Sequence, residues 1–110
     1  MKITTRTALL IVPIIFGASA AIAADAAANW NQHCASCHGK DGSGNTTMGK
    51  KLAVKNYQDA KVQAEFTDAK ATEIIKEGVK ESGKEMKPFK GKLSDDEVKA
   101  LVAYVRSLKK

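Results

Sequence analysis

A chain of 110 residues with 18 Lys+Arg against 12 Asp+Glu and a formal charge of +6 has room for one small domain, not two. Its 44% hydrophobic and 27% charged residues describe an ordinary globule and exclude wholesale disorder, collagen-like repeats and multi-span membrane architecture. The charge suits acidic partners, but no basic run exceeds two residues (Lys50-Lys51, Lys109-Lys110) and aromatics make up only 5%, so a nucleic-acid surface is not supported.

The chain opens as a secretory signal peptide over residues 1–23. Lys2 and Arg6 give a positive start, Ala8 to Phe16 is apolar, and Ala21-Ile22-Ala23 places small residues at the spacing a signal peptidase reads. The alternative is an uncleaved anchor, because Thr7 to Ala24 is an uncharged stretch of 18 residues, at the lower limit for a span. The alanine-rich second half and the cleavage-like site favour removal, with Ala24 or Asp25 as the first mature residue. Loss of Lys2 and Arg6 leaves a charge of +4 on a domain of 87 residues, 24–110. A domain that short generally needs disulfides, a metal or a cofactor, and two cysteines three apart staple nothing distant.

The mature segment reads as all-α, about four helices, with no strand pattern. Ala26, Ala27, Trp30 and Cys34 share one face of a first helix that Gly39 stops, and Lys40 to Asn45 has loop composition. A short helix is expected from about Asp59 to Phe66, with Val62 and Phe66 on one side. Thr67 or Asp68 caps the next, whose apolar positions Ala71, Ile74, Ile75 and Val79 follow the 3.6-residue period and whose end suits Gly78. Val79 to Leu93 reads as a long ordered loop. Ser94-Asp95-Asp96-Glu97 is a capping box, and Val98, Leu101, Val102, Val105 and Leu108 form the stripe of a last helix.

The chemistry lies in Cys34-Ala35-Ser36-Cys37-His38. On a helix these three side chains occupy neighbouring turns of one face. Two thiols so placed can add to the two vinyl groups of a haem while the imidazole reaches the iron from one side, and C-x-x-C-H is the attachment signature of c-type haem. A zinc site would want a second Cys or His pair downstream, and none exists. A thioredoxin-like dithiol would want the motif after a strand in an α/β pattern. Buried structural cysteines would leave the adjacent His38 unexplained.

With these residues the chain resembles a class I cytochrome c of the small bacterial periplasmic type, across essentially all of the mature segment. The resemblance implies the cytochrome c fold wrapped round one covalently bound haem c. It implies thioether links at Cys34 and Cys37 and His38 as proximal ligand. Met86-Lys87-Pro88-Phe89 resembles the family's methionine loop, and Ala26, Trp30, Leu101 and Tyr104 match positions where the first and last helices cross. Two departures stand out. Lys87 separates the methionine from the proline, and Pro88 is the only proline after the signal segment, so the carbonyl that orients the His38 ring is left open.

Met86 is expected as the sixth ligand on physical grounds as well. A thioether is soft and neutral and favours reduced iron. Met86 follows His38 by 48 residues, enough chain to cross to the opposite face, and Pro88 stiffens its loop. Met48, ten residues after His38, would have to wrap tightly round the haem edge and is read as a core filler. His33 points about 100° from Cys34 and is expected at the surface. Trp30 is read as packing between the terminal helices.

Lys84, Lys87, Lys90 and Lys92 surround Met86, opposed locally by Glu81 and Glu85, while Lys40, Lys50, Lys51 and Lys55 lie on the other loop. Lysines at an exposed haem edge steer acidic redox-partner proteins; ordinary solubilising charge is the other reading. The expectation is a periplasmic, monomeric electron carrier, not an enzyme, with membrane association only if the signal stays uncleaved. The alternatives are a haem enzyme or gas sensor with a labile sixth ligand, or a dedicated cytochrome subunit of a dehydrogenase or oxidase.

Overall fold

The computed structural model describes residues 8–13 and 25–110. Residues 8–13 carry no helix or strand, and Leu9 to Val12 are exposed. The rest of the signal segment, with its cleavage site, lies outside the described residues. No helix among those described is long and apolar enough to cross a membrane.

The first helix, α1, spans residues 25–38 and contains a π turn over Trp30–Cys34 before closing as Ala35–His38. The backbone N–H of Ala35 donates to the Trp30 carbonyl, one residue further along than an α-helix would allow. The slip changes which residues share a face. Ala26, Trp30 and Ala35 are buried, a spacing of four and then five, and Cys34 is turned to the half-buried edge of that stripe. The sequence period had put Cys34 in line with Trp30.

Five helices are described. Besides α1 they are α2 (Thr47–Lys51), α3 (Ala60–Ala64), α4 (Asp68–Glu77) and α5 (Asp95–Ser107). The extra one relative to the expected four is α2, a short turn capped by the Thr46 hydroxyl, which accepts from the Gly49 N–H at 2.8 Å. Asp59 and Thr67 cap α3 and α4 in the same way.

The expectation of no strands is corrected. Val79–Glu81 (β1) and Lys84–Met86 (β2) form an antiparallel hairpin in which Val79 faces Met86. Val79 therefore opens a strand and does not extend the apolar stripe of α4. Strands of three residues are too short for alternation to show in sequence. Opposite charges face each other across the hairpin, Lys80 with Glu85 and Glu81 with Lys84, a favourable cross-strand arrangement.

The core lies between α1, α5 and the segment after the hairpin. It comprises Trp30, Ala35, Phe89, Leu93, Val98, Leu101 and Val105. Helix α5 contributes most because its stripe is regular: Val98, Leu101, Val102 and Val105 are all buried. Its start is the reciprocal capping box, in which the Ser94 N–H donates to Glu97 at 3.0 Å and the Glu97 N–H to the Ser94 hydroxyl at 3.1 Å. These hydrogen bonds and one from Asn29 hold the Glu97 carboxyl below its ordinary range. The Asn29 amide donates to Glu97 at 3.0 Å and so ties α1 to the start of α5. Tyr104 stacks on Trp30 with ring centroids 5.5 Å apart, as the expected crossing of the terminal helices requires. No residue of α4 is fully buried.

Candidate functional site

The end of α1 carries Cys34, Cys37 and His38. Both cysteines are free and half-buried. Burial, reinforced by the neighbouring Cys37, pushes the Cys34 thiol up to about 11. The stretch after His38 is folded tightly back on the motif. The Thr46 hydroxyl donates to the Cys37 carbonyl at 2.7 Å, and the Gly44 N–H to the His38 carbonyl at 2.7 Å. Gly49 is required by this approach, because a Cβ there would run into the carbonyl oxygens of Gly44 and Cys37.

The His38 ring lies between two aromatic rings, Trp30 at 5.7 Å and Tyr57 at 5.4 Å between centroids. Burial lowers its affinity for a proton, which favours the neutral imidazole that a metal requires. The Nδ1 atom is enclosed by protein, so Nε2 is the nitrogen left to bind. Trp30 itself is fixed by its indole N–H, which donates to the Gly39 carbonyl at 2.9 Å.

Met86 ends β2, half-buried, and packs on the same core cluster as Cys34. Three features of α4 place it there. Gly78 takes φ +72° at the helix end, and a Cβ on it would strike the Met86 carbonyl and the Pro88 nitrogen. The Phe89 and Lys90 N–H groups then donate to the carbonyls of Ile75 and Lys76 at 3.0 and 3.1 Å. Phe89 is buried beside them. Met48 is not the core filler expected from sequence: it is 42% exposed on α2. His33 is half-buried and not simply at the surface, its ring meeting the edge of Phe89 at 5.5 Å.

Sequence reading missed Tyr57, Gln63 and Arg106. Gln63 is buried, and its amide donates to the carbonyls of Tyr57 at 2.7 Å and Val105 at 2.9 Å. Arg106 donates to the Gln63 carbonyl at 2.5 Å, to the Gln63 side chain at 3.0 Å, to the Phe66 carbonyl at 2.8 Å and to Asp68 at 2.8 Å, and it lies over the Phe66 ring. This junction secures the segment that presses Tyr57 against His38. Gln63 gave no signal, and Arg106 in a last helical turn reads as a complement to the helix dipole.

Among the lysines, Lys84 faces Glu81, Lys90 approaches Glu77 at 3.8 Å, and Lys55 pairs with Glu65. Lys87 and Lys92 make no ion pair among the described residues, and all of these side chains are exposed.

Two thiols, an enclosed neutral imidazole and a thioether resting on the same apolar cluster are a donor set that fits a haem c. With the helical fold they define a small c-type cytochrome. Over residues 21–105 the chain matches the family described as cytochrome c oxidase, cbb3-type, subunit III, and it belongs to that family. It is similar to the solved KustC0563 c-type cytochrome, with a TM-score of 0.70 and 43% identity over 78% of this chain and 99% of that one. A Tyr-to-Phe mutant of Kustc0563 superposes with a TM-score of 0.67 and 42% identity, over 77% of this chain and 99% of that one. No curated protein matches the chain. Membership implies a covalently bound haem c.

Proposed function

We propose that the protein is an electron carrier of the periplasm, holding one haem c through Cys34 and Cys37, with His38 and Met86 as the axial ligands. Residues 1–23 serve as a signal peptide and 24–110 as the haem domain. When bound, the haem supplies an iron that takes up and releases one electron. The observation that carries the reading is the packing of Cys34 and Met86 on one cluster, although 52 residues of chain separate them. His38 offers Nε2 from a rigid ring, and Met86 offers a soft sulfur from a loop strapped to α4, a pairing that favours reduced iron. Held by both His38 and Met86, a haem iron would keep the same protein ligands through a one-electron change, as carriage of electrons requires. An enzyme or gas sensor would need the sixth position open. The ferric spectrum decides between them: a long-wavelength methionine–sulfur band is expected, and a high-spin band in its place would overturn the carrier.

One observation favours a second reading: the family's own description is that of an oxidase subunit. A dedicated subunit would keep the same ligation but leave the periplasm in a complex, whereas a shuttle is recovered alone.

The lysines near Met86 are the proposed contact for acidic redox partners. Such contacts are small and weak, and charge acts mainly on the encounter rate. Screening over about 8 Å at physiological ionic strength should erode that steering as salt rises. Lys87→Gln with Lys92→Gln is therefore expected to slow second-order transfer to an acidic partner several-fold at low salt and to flatten its salt dependence, the spectrum being unchanged. Lys109→Gln with Lys110→Gln removes the same charge at the chain end. Equal slowing by both pairs would mean that net charge alone matters.

A further inference from the structure

Met86 lies where the chain passes back over the end of α4. The hairpin leaves at Val79 and returns to pair Met86 with Val79, so the backbone of residues 86–88 crosses Gly78, the residue just before β1. The crossing is tight. A Cβ on Gly78 would overlap the Met86 carbonyl oxygen and lie 2.8 Å from the Pro88 nitrogen and 3.0 Å from the Lys87 carbonyl carbon. All three are backbone atoms, which cannot swing aside as the end of a side chain can. Gly83 in the hairpin turn and Gly91 beyond Phe89 bracket Met86 and share the backbone sign, with φ +78° and +85° against +72° at Gly78. At either of them a Cβ would meet no atom within 4 Å. Past the crossing the chain is fixed again, by the Phe89 and Lys90 N–H groups on the carbonyls of Ile75 and Lys76 and by the buried Phe89 ring. Only Lys87 and Pro88 lie between Met86 and that anchor, and the proline ring fixes one of their dihedrals. The methionine backbone therefore has little slack on either side.

We propose that Gly78 is a positioning residue for the axial methionine: the backbone crossing that only glycine permits fixes where Met86 starts, and so sets the strength of the bond its sulfur makes to the iron. This rests on the reading of Met86 as sixth ligand. One added methyl group would force the backbone of residues 86–88 to retreat by about 1 Å before ordinary van der Waals contact is restored. Metal–ligand bonds hold their length to within about 0.2 Å, so a displacement of that size cannot pass unnoticed at the metal. It is divided between the rotatable bonds of the methionine side chain and the bond to iron, and the part that falls on the latter weakens it. A weakened thioether favours reduced iron less, and the reduction potential falls. Gly78 carries no side chain to touch the iron or the sulfur and acts only through Met86.

The test compares Gly78→Ala, Gly83→Ala and Gly91→Ala in the haem-loaded protein. All three place alanine at positive φ and should lower the melting temperature. Gly78→Ala alone should also diminish the methionine–sulfur band, lower the potential and bind added imidazole several-fold more tightly. Like behaviour of all three, whether each keeps the band and potential or each loses them, would overturn the proposal. Gly78→Ala combined with Met86→Ala should match Met86→Ala in spectrum and potential, because the effect passes through the sulfur; a further shift in the double variant would overturn it too. If Gly78→Ala retains no haem, the unaltered protein decides. In its reduced form, nuclear Overhauser contacts from the Gly78 α-protons to the Pro88 δ-protons are expected, and their absence would show that the crossing is open. Met86→Ala by itself separates the two levels of the argument. An unchanged spectrum there removes the ligation reading and the proposal together, whereas a band lost in Met86→Ala but kept in Gly78→Ala removes the positioning role alone.

Discussion

Met86→Ala is expected to lower the reduction potential on the order of a few tenths of a volt, within the span of about 0.8 V that axial-ligand identity covers. The methionine–sulfur band should vanish, and small exogenous ligands should bind where none bound before. The thioether favours the ferrous state, so its loss acts in one direction. The loop should persist in the variant, because it is held by backbone bonds from Phe89 and Lys90 to α4 and by the burial of Phe89, none of which involves the methionine sulfur. Met48→Leu, which roughly conserves volume at an exposed site, is expected to leave both spectrum and potential unchanged. Reversed behaviour of the two variants would make Met48 the ligand.

Replacing both Cys34 and Cys37 by Ala, with expression in the absence of retained haem, should give a largely unfolded chain. Domains are stable by only about 0.05–0.15 kcal/mol per residue, so a small one tolerates little loss of core. Among the described residues nine hydrophobic side chains are buried, and two of these are alanines. The apolar face of α4 has no buried member, and Cys34, Tyr57, Phe66, Ile75 and Met86 are only partly covered where they meet the core. A bound haem would cover apolar surface at the cysteine and methionine edges at once, at about 25 cal/mol for each Å² removed from water. Far-UV circular dichroism with thermal melting provides the check. Full helicity and a cooperative transition in the doubly substituted protein would show that the polypeptide folds on its own side chains.

Much of this was legible before any coordinates. The capping box and stripe of α5 were readable because each feature depends on residues within one or two turns of each other, and local physics decides them. The same holds for the Cys34-Ala35-Ser36-Cys37-His38 spacing, for the Thr67 cap and for Gly78 as a helix end. What escaped was of two kinds. The π turn is a slip in backbone hydrogen bonding with no residue signature, yet it decides that Ala35 and not Cys34 lies beneath Trp30. The hairpin escaped because Lys-Glu-Ser-Gly-Lys-Glu has no apolar alternation and pairs through charge and a two-residue turn. The second kind is long-range. Nothing near Tyr57 in sequence says that it meets His38, and nothing near Gln63 says that it is buried by Arg106 and Val105, 43 and 42 residues away.

That last separation has a temporal consequence. A polypeptide is made from its N-terminus, so the cysteine–histidine motif exists well before the helix that carries Arg106. Until that helix arrives, the carbonyls of Gln63 and Phe66 lack the Arg106 donors that hold them, and Glu97 has not yet met Asn29, 68 residues upstream. Contacts so distant along the chain form late, because the loop must first be closed against its entropy. Until then the region of the two thiols and the imidazole lacks the backing that the final helix supplies. Docking of the final helix then acts as the bolt, closing the aromatic wall of Trp30 and Tyr57 over the His38 ring.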